Sequence, residues 1–404
     1  MMIIKLTKVA VLVMVAIMIF SNFVAHPTTN ITNDKVSVKT ASVNMKNKNF
    51  GTWNNPYEIK SYTALSQNIH KDTMLVLGSS EFNHGKDTPY HPKNFFKQQN
   101  VSLMTVGLIY NESLNQEITL GALSGKLHNK KVVFILSPTW FNQIGVPAKG
   151  YANKFSESEY MEFLMNKSIP KSTKVYVAAR TERLLTGKKK LLKRVKKYDR
   201  IFIAGKGTTK DKLYFDYRRN YLAVTESNHV LNLLKKTDIK RLSKYNGKIE
   251  NPKKINWKFE ENQAITNAKV SISKQYFGMD TTAFNNKFGS TYTLYKNKSK
   301  ALSFQTSPEY NDLESFLQVC KSEKIKTELI LQPLNGSWYD YCGLTKAKRA
   351  GMEQKVALLG KKYDAKVVDF SGYDYKPYFL IDNVHPWDLG WLKIDKAIYS
   401  FYKS

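Results

Sequence analysis

The chain has 404 residues and a formal net charge of +30, because 63 lysines and arginines outnumber 33 aspartates and glutamates. Its length suits one large domain with insertions or two small ones. Its two cysteines, Cys320 and Cys342, exclude the disulfide framework of a small secreted domain. Cys320 falls in a helical pattern and is expected in the core, with a bridge to Cys342 as the lesser alternative.

The chain begins with an apolar segment, residues 9–25, near the short limit of about 17 to 25 residues for a transmembrane helix. Lys5 and Lys8 precede it, which favours a cytoplasmic N-terminus. A cleaved signal peptide is the alternative, but Phe23 stands where cleavage needs a small residue. We therefore expect residues 1–25 to be a single-pass anchor in the cell membrane, with the large remainder extracellular.

A polar segment rich in Asn, Thr, Ser and Lys covers residues 26–70 and predicts a stalk. Beyond it, short apolar runs separated by helical patterns predict the buried strands of a parallel sheet in an α/β fold. The runs cover residues 73–77, 101–106, 131–136, 327–331 and 366–370. The sheet is thus built from both ends of one domain, residues 71–404, around a basic, mostly helical insertion at about 142–305.

Residues that could form a nucleophilic site lie at opposite ends of this domain. Ser80 follows the first apolar run in the segment GSSE at 78–81, and Asp382 and His385 are three residues apart near the C-terminus. An open α/β sheet collects such residues at the carboxyl ends of its strands. His385 could then take the Ser80 hydroxyl proton while Asp382 orients the imidazole. Ordinary turn chemistry is the alternative for Ser80.

Two further histidines follow the Ser80 turn closely. His84 and His91 are rival bases, and together with Asp87 they could be considered as metal ligands. Their spacing matches no metal-binding motif. We therefore predict no metal site, and nothing in the sequence indicates a cofactor.

Four segments carry a family resemblance: GSSEF at 78–82, SPTWF at 137–141, GSWYDYCG at 336–343 and DNVHPWDLGW at 382–391. In this order they resemble the DltD family, D-alanine transfer proteins of Gram-positive bacteria related to the SGNH (GDSL-type) esterases. The resemblance implies an SGNH-like three-layer α/β/α sandwich. It also implies that Ser80 is the nucleophile and that Asp382 and His385 complete a triad.

The same resemblance points to further site residues. The family has a Gly-rich turn near the nucleophile, whereas here only Gly107 remains in the segment GLIYN at 107–111. Candidate oxyanion donors are the backbone N–H of Ser80 and either the Gly107 backbone or the Asn111 side chain. Aromatic residues that flank the family's active site are expected to wall the acyl pocket: Trp140, Trp338 and Tyr339.

By resemblance, the function is D-alanyl transfer to lipoteichoic acid at the outer face of the membrane through an acyl-serine intermediate. The family's partners are the membrane acyltransferase DltB, the peptide DltX and, indirectly, the cytoplasmic carrier protein DltC. Two alternatives stay open: an SGNH-type esterase or thioesterase acting on cell-wall esters, and a non-catalytic wall protein that binds polyanions.

The basic excess of the chain suits such a location. It favours polyanionic surroundings, with a general bias of composition as the alternative. An exported chain seldom meets nucleic acid, so we expect teichoic acid or an anionic membrane surface as the polyanion. The densest basic run, residues 187–200, would dock there, or else it is a solvated helix face.

Overall fold

The computed structural model describes residues 50–53, 56–57, 59–85, 87–236 and 249–404. A parallel sheet of six strands, in the order β1-β3-β2-β4-β5-β6, forms the centre of the molecule. Its strands are β1 Phe50–Trp53, β2 Met74–Gly78, β3 Leu103–Gly107, β4 Lys131–Leu136, β5 Lys326–Leu331 and β6 Lys366–Asp369. The five predicted strands are confirmed as β2 to β6, within two residues at each end.

The apolar runs form buried strands because both faces of the sheet are covered. Along β2, Leu75 and Leu77 enter one hydrophobic core, whereas Met74 and Val76 enter the core on the opposite face. The alternation follows from the two-residue period of a strand. Burial on both faces favours apolar residues at most positions, which is the signature of a parallel sheet between helical layers.

Helices form the two outer layers of this α/β sandwich. They are α1 Tyr62–Gln67, α2 Pro92–Phe95, α3 Ser113–Leu123, α4 Ala148–Lys154, α5 Glu157–Met165, α6 Lys171–Leu184, α7 Lys189–Phe202, α8 Thr209–Lys236, α9 Trp257–Lys269, α10 Thr281–Lys287, α11 Pro308–Ser322, α12 Gly336–Tyr341, α13 Lys346–Arg349, α14 Met352–Lys362 and α15 Asp388–Lys403. On one face α3 packs between α5 and α11, and on the other α9 packs against α15.

Helices α4 to α11 lie between β4 and β5, and α4 to α10 fall within the insertion expected at about 142–305, whose described part is largely helical. It contributes to both layers, because α5 packs on α3 and α9 packs on α15. A buried ion pair joins it to the sheet domain: Arg180 of α6 donates to Asp312 of α11, with Nε to Oδ1 at 2.8 Å. The insertion is therefore integrated with the sheet domain.

The sheet begins inside the segment expected to be a stalk, residues 26–70. Strand β1 pairs in parallel with β3, and Ala64 and Leu65 of α1 are buried. The boundary differs because β1 is only four residues long and owes its conformation to pairing with β3, which local sequence does not encode. At least residues 50–53 and 59–70 thus belong to the folded unit.

The expected anchor, residues 1–25, lies outside the described residues. Within the described ranges, no helix combines the length and apolarity needed to cross a membrane. Both cysteines are free and buried, and Cys320 lies in the core as expected.

Candidate active site

The site forms around a tight turn at the end of β2. Ser80 opens a 3-10 turn that runs to Asn83, directly after Gly78 and Ser79. The buried carboxylate of Glu81 folds back and accepts a hydrogen bond from the Ser79 N–H at 2.6 Å. A Cβ at position 78 would lie 2.1 Å from Glu81 Oε1, so only glycine leaves room for this contact.

The neighbouring strand β3 holds the turn from the side. Gly107 is in register with Gly78, and a Cβ at position 107 would lie 2.5 Å from the Gly78 carbonyl oxygen. The Ser79 hydroxyl donates to the carbonyl of Leu108 at 3.1 Å. Two consecutive strand ends therefore fix the backbone around Ser80 by close approach.

Helix α3 holds the turn through a buried side chain. The Gln116 Nε2 donates to the carbonyl of Gly78 at 2.6 Å and to that of Val106 at 3.0 Å. The side chain is fully buried, so these bonds satisfy two carbonyls that no solvent reaches.

The residues predicted from opposite ends of the chain meet here. Ser80 Oγ lies 3.0 Å from His385 Nε2, and His385 Nδ1 lies 2.8 Å from Asp382 Oδ2. A carboxylate only accepts hydrogen bonds, so Nδ1 carries the proton when His385 is neutral, and Nε2 then accepts from the Ser80 hydroxyl. This chain of contacts is arranged for activation of a nucleophilic serine.

Asp382 is held as an anion although it is only 3% exposed. Its Oδ1 accepts from the backbone N–H groups of Val384 at 2.8 Å and His385 at 2.9 Å. Burial alone would raise the pKa of Asp382, but hydrogen bonding and charge from His385 and then Lys287 hold that pKa well below its usual range. The carboxylate can therefore orient the imidazole across the whole physiological pH range.

Sequence reasoning missed Lys287. Its Nζ lies 2.7 Å from Asp382 Oδ2, and it belongs to α10 in the insertion. No local signal separates this lysine from its many neighbours in a basic segment. Only the fold brings residue 287 next to residue 382.

His84 contacts His385 by its ring face. The ring centroids are 3.5 Å apart at an interplanar angle of 14°. Ligand atoms of His84, Asp382 and His385 lie within 4.8 Å of one another, but imidazole lone pairs lie in the ring planes, so two stacked rings direct them in parallel and not toward one ion. His91, the other rival base, is fully buried, and its Nδ1 accepts from the Lys93 N–H at the start of α2.

Two of the oxyanion candidates, Gly107 and Asn111, lie at and just beyond the end of β3, which pairs with the strand leading to Ser80. Gly107 adjoins Gly78, and Asn111 follows in a turn closed by its own N–H, which donates to the Leu108 carbonyl at 2.8 Å. Asn111 is 3% exposed, and its Oδ1 has no hydrogen-bond partner among the described residues. The assignment of Ser80, Gly107 and Asn111 as donors stays a prediction.

The three aromatic residues expected around the acyl pocket differ in exposure. Trp140 is 6% exposed and packs on Phe134, with ring centroids 5.8 Å apart. Trp338 is 2% exposed inside an aromatic cluster that includes Phe288. These two indoles thus have almost no surface left for a ligand. Tyr339 is partly buried, and its hydroxyl accepts from the Asn383 amide at 2.9 Å, next to Asp382.

A cavity of about 410 Å³ lies next to the loop that carries Asp382 and His385. Asn335 in its wall donates its N–H to the carbonyl of Asn383 at 3.0 Å, and Leu380 is also in the wall. The remaining lining is aromatic and polar: Gln275, Phe277, Gly278, Ser337, Tyr373, Asp374, Tyr375, Lys376 and Pro377. The cavity is large enough for a small polar substituent of a substrate.

Comparison with known proteins identifies the family of the chain. The family model described as "DltD protein" matches residues 47–403. Protein DltD of Bacillus subtilis (strain 168) is 28% identical over 367 residues, covering 87% of this chain and 88% of that protein. Protein DltD of Staphylococcus aureus (strain NCTC 8325 / PS 47) is 23% identical over 358 residues, covering 85% and 87%. With the family model matched over nearly its whole described length, the chain belongs to the DltD family.

Proposed function

We propose that the chain transfers a D-alanyl group to lipoteichoic acid at the outer face of the membrane, through an ester on Ser80. The observation that carries the proposal is the contact chain from Ser80 Oγ to His385 Nε2 at 3.0 Å and from His385 Nδ1 to Asp382 at 2.8 Å. Membership of the DltD family supplies the acyl group and the acceptor.

The first half-reaction loads the serine. Ser80 Oγ attacks the carbonyl carbon of the donor's D-alanyl group while its proton passes to His385 Nε2. Asp382 stabilises the imidazolium without taking its proton. When the tetrahedral intermediate collapses, the bond to the donor's leaving group breaks, and that group leaves with the proton from His385. The product is a D-alanyl ester of Ser80.

The second half-reaction reverses these steps with a different alcohol. A hydroxyl of the polymer gives its proton to His385 and attacks the Ser80 ester carbonyl, and Ser80 recovers the proton as it leaves. Water could replace the alcohol, so transfer requires an acceptor held in position. An esterase or thioesterase would use the same residues, and the formed contact chain weighs against a non-catalytic wall protein.

A basic helix offers a means of holding an anionic acceptor. On α7 the apolar face is buried at Val195 and Tyr198, while Lys189, Lys190 and Lys193 are exposed. The last part of the helix is partly neutralised by acidic residues of α6 and α8. Among the described residues, the lysines of this helix without an acidic partner are thus concentrated in its first turns, where a polyphosphate chain or anionic lipid headgroups could bind.

We extend the proposal to location and partners on the family resemblance alone. Residues 1–25 would anchor the protein in the cell membrane with the sheet domain outside. The donor would come from the membrane acyltransferase DltB with the peptide DltX, which in turn would receive D-alanine from the cytoplasmic carrier protein DltC.

The direct test is covalent labelling of the nucleophilic serine. Full-length protein in detergent is treated with a fluorophosphonate, which reacts with activated serines, and the modified peptide is identified by mass spectrometry. We expect modification at Ser80 that requires His385. In deletion cells complemented with wild type, mild base should release ester-linked D-alanine. Absence of both the modification and the ester would overturn the proposal.

A further inference from the structure

We propose that Lys287 is a positioning residue, by which the insertion fixes Asp382 and sets the pH range in which His385 works as a base. The proposal rests on the proposed acyl-serine function. It starts from one contact: Lys287 Nζ lies 2.7 Å from Asp382 Oδ2, the same oxygen that accepts from His385 Nδ1. The lysine side chain is 35% exposed and its partner 4%.

Helix α10 determines where this lysine lies. Asp280 caps the N-terminus of the helix: its side chain accepts from the Ala283 N–H at 2.7 Å, and its own N–H donates to the carbonyl of Ile381 at 3.0 Å. Phe284 at its centre is buried in the aromatic cluster against Trp338. The helix is therefore tied both to a core and to the loop of Asp382, which delivers its last residue, Lys287, to the carboxylate.

The charge of Lys287 matters because Asp382 is buried. At rest a neutral His385 cannot compensate the buried carboxylate, and an uncompensated buried charge is costly. Lys287 neutralises it. During catalysis an imidazolium forms beside Asp382, and the ammonium then opposes this second positive charge. The lysine thus keeps Asp382 ionised and fixed, while its ammonium charge opposes formation of the imidazolium.

Other groups face the same pair. His84 stacks on the His385 ring, and the Ser80 hydroxyl is hydrogen-bonded to His385 Nε2. Tyr339 lies near Asp382. Burial, with a smaller contribution from the Asp382 charge, raises the pKa of Tyr339, so it stays neutral at the pH of the experiment. Lys287 is the residue among them whose removal changes a fixed charge next to Asp382.

The test compares full-length variants in the hydrolysis of p-nitrophenyl acetate between pH 5 and 9. In Lys287→Met the imidazolium is favoured, so we expect the acid limb of the pH–rate profile to move up by about one pH unit. Lys287→Arg keeps the charge and should retain the wild-type limb. The matched control is Lys269→Met, because Lys269 is likewise the last residue of an insertion helix, and it should be unchanged.

Each outcome has a meaning. KM should change little, because Lys287 acts through Asp382 and not on substrate. A lower rate with an unmoved acid limb in Lys287→Met would overturn the proposal and leave a structural ion pair, as would a shifted limb in Lys287→Arg. If Lys287→Met does not fold, Lys287→Gln replaces it, and the same upward shift of the acid limb of the pH–rate profile is expected. Wild-type protein without hydrolysis or fluorophosphonate labelling would instead overturn the proposed function.

Discussion

The turn that carries Ser80 and the loop that carries Asp382 and His385 are held by different parts of the molecule. The Ser80 turn is fixed by strand ends and by Gln116 of α3, all within the first third of the chain. The loop instead contacts the insertion through Lys287 and through the N–H of Asp280, which bonds the Ile381 carbonyl.

The Ser80 turn should therefore be the more rigid of the two, and the loop of Asp382 the easier to alter. The close backbone approach between Gly78 and Gly107 leaves no room for even a Cβ atom, so this part of the site cannot shift easily. The loop is held partly by the half-exposed side chain of Lys287, whose ion pair is easier to perturb. Changes to the sheet should therefore damage the nucleophile turn or the whole fold, whereas changes in the insertion should tune the base.

The largest effect is expected from Ser80→Ala, which removes the group proposed to carry the acyl ester. Activity should fall by about 10⁴-fold or more while folding is retained, because the side chain is on a half-buried turn. The measurement is ester-linked D-alanine released by mild base from complemented deletion cells.

Ser79→Ala is the matched control for the adjacent serine. It removes one buried hydrogen bond to the Leu108 carbonyl, which should cost about 1 kcal/mol of stability and leave most of the activity. Normal ester levels with Ser80→Ala, or equal losses in both variants, would show that the hydroxyl of Ser80 is not the nucleophile.

Glu81→Gln tests the buried carboxyl of the nucleophile turn. Burial raises the pKa of Glu81 to about 7 in the folded protein, against 4.5 as its ordinary value. Between these two pH values the unfolded chain loses the proton while the folded chain keeps it, so wild-type stability falls as pH rises, by up to roughly 3 kcal/mol.

In Glu81→Gln this loss is absent. The variant should gain free energy of unfolding relative to wild type as pH rises from about 4.5 to 7, and the difference should level off above that range. Urea unfolding at a series of pH values measures it. Taking the difference between the two proteins cancels the other buried carboxyls, and a pH-independent difference would contradict the prediction.

Gly107→Ala tests whether strand β3 constrains the Ser80 turn. The new Cβ would lie 2.5 Å from the Gly78 carbonyl oxygen, which is backbone and cannot move aside cheaply. We expect a loss of about 1–3 kcal/mol in stability and a displaced Ser80 turn. Gly187→Ala is the control, since no atom of the described residues lies within 4 Å of a Cβ there. Equal melting temperatures of the two variants would show that β3 does not constrain the turn.

The smallest effect should come from the exposed lysines at the start of α7. Replacing Lys188, Lys189 and Lys190 by Gln should weaken binding to anionic vesicles about tenfold at low salt, and less at 0.15 M, because exposed charges are screened there. Catalysis on a small ester should be unchanged. Binding that ignores both salt and these substitutions would make the charge a bias of composition.

The control for this triple variant keeps the same net charge change at other exposed lysines. It replaces Lys258, Lys269 and Lys296 by Gln.

Sequence alone predicted the features that local pattern encodes. Buried strands appear as apolar runs, so β2 to β6 could be located, and the pairing of Ser80 with His385 followed from the rule that strand ends share one edge. Strand β1 could not be found, because four residues without an apolar run depend on pairing with β3. The contact of Lys287 with Asp382 could not be found either, since only the fold brings the end of α10 next to residue 382.

The aromatic residues show that a recognisable segment does not reveal how its side chains are exposed. Trp140 and Trp338 stand in recognisable segments near the site, yet both are buried in packed cores. A segment's proximity to an active site in sequence therefore does not tell whether its large side chains face a ligand or support the wall behind it.

The pairing of β4 with β5 has a consequence for how the chain folds during synthesis. Leu136 pairs with Leu331, and the whole insertion emerges from the ribosome between them. Until β5 arrives, β4 has an open edge and two apolar faces, a state prone to association with other chains. Contacts between such distant segments also form slowly. The late strands β5 and β6 thus complete the sheet and protect it, and the loop with Asp382 and His385 can meet the Ser80 turn only after both strands have been synthesised.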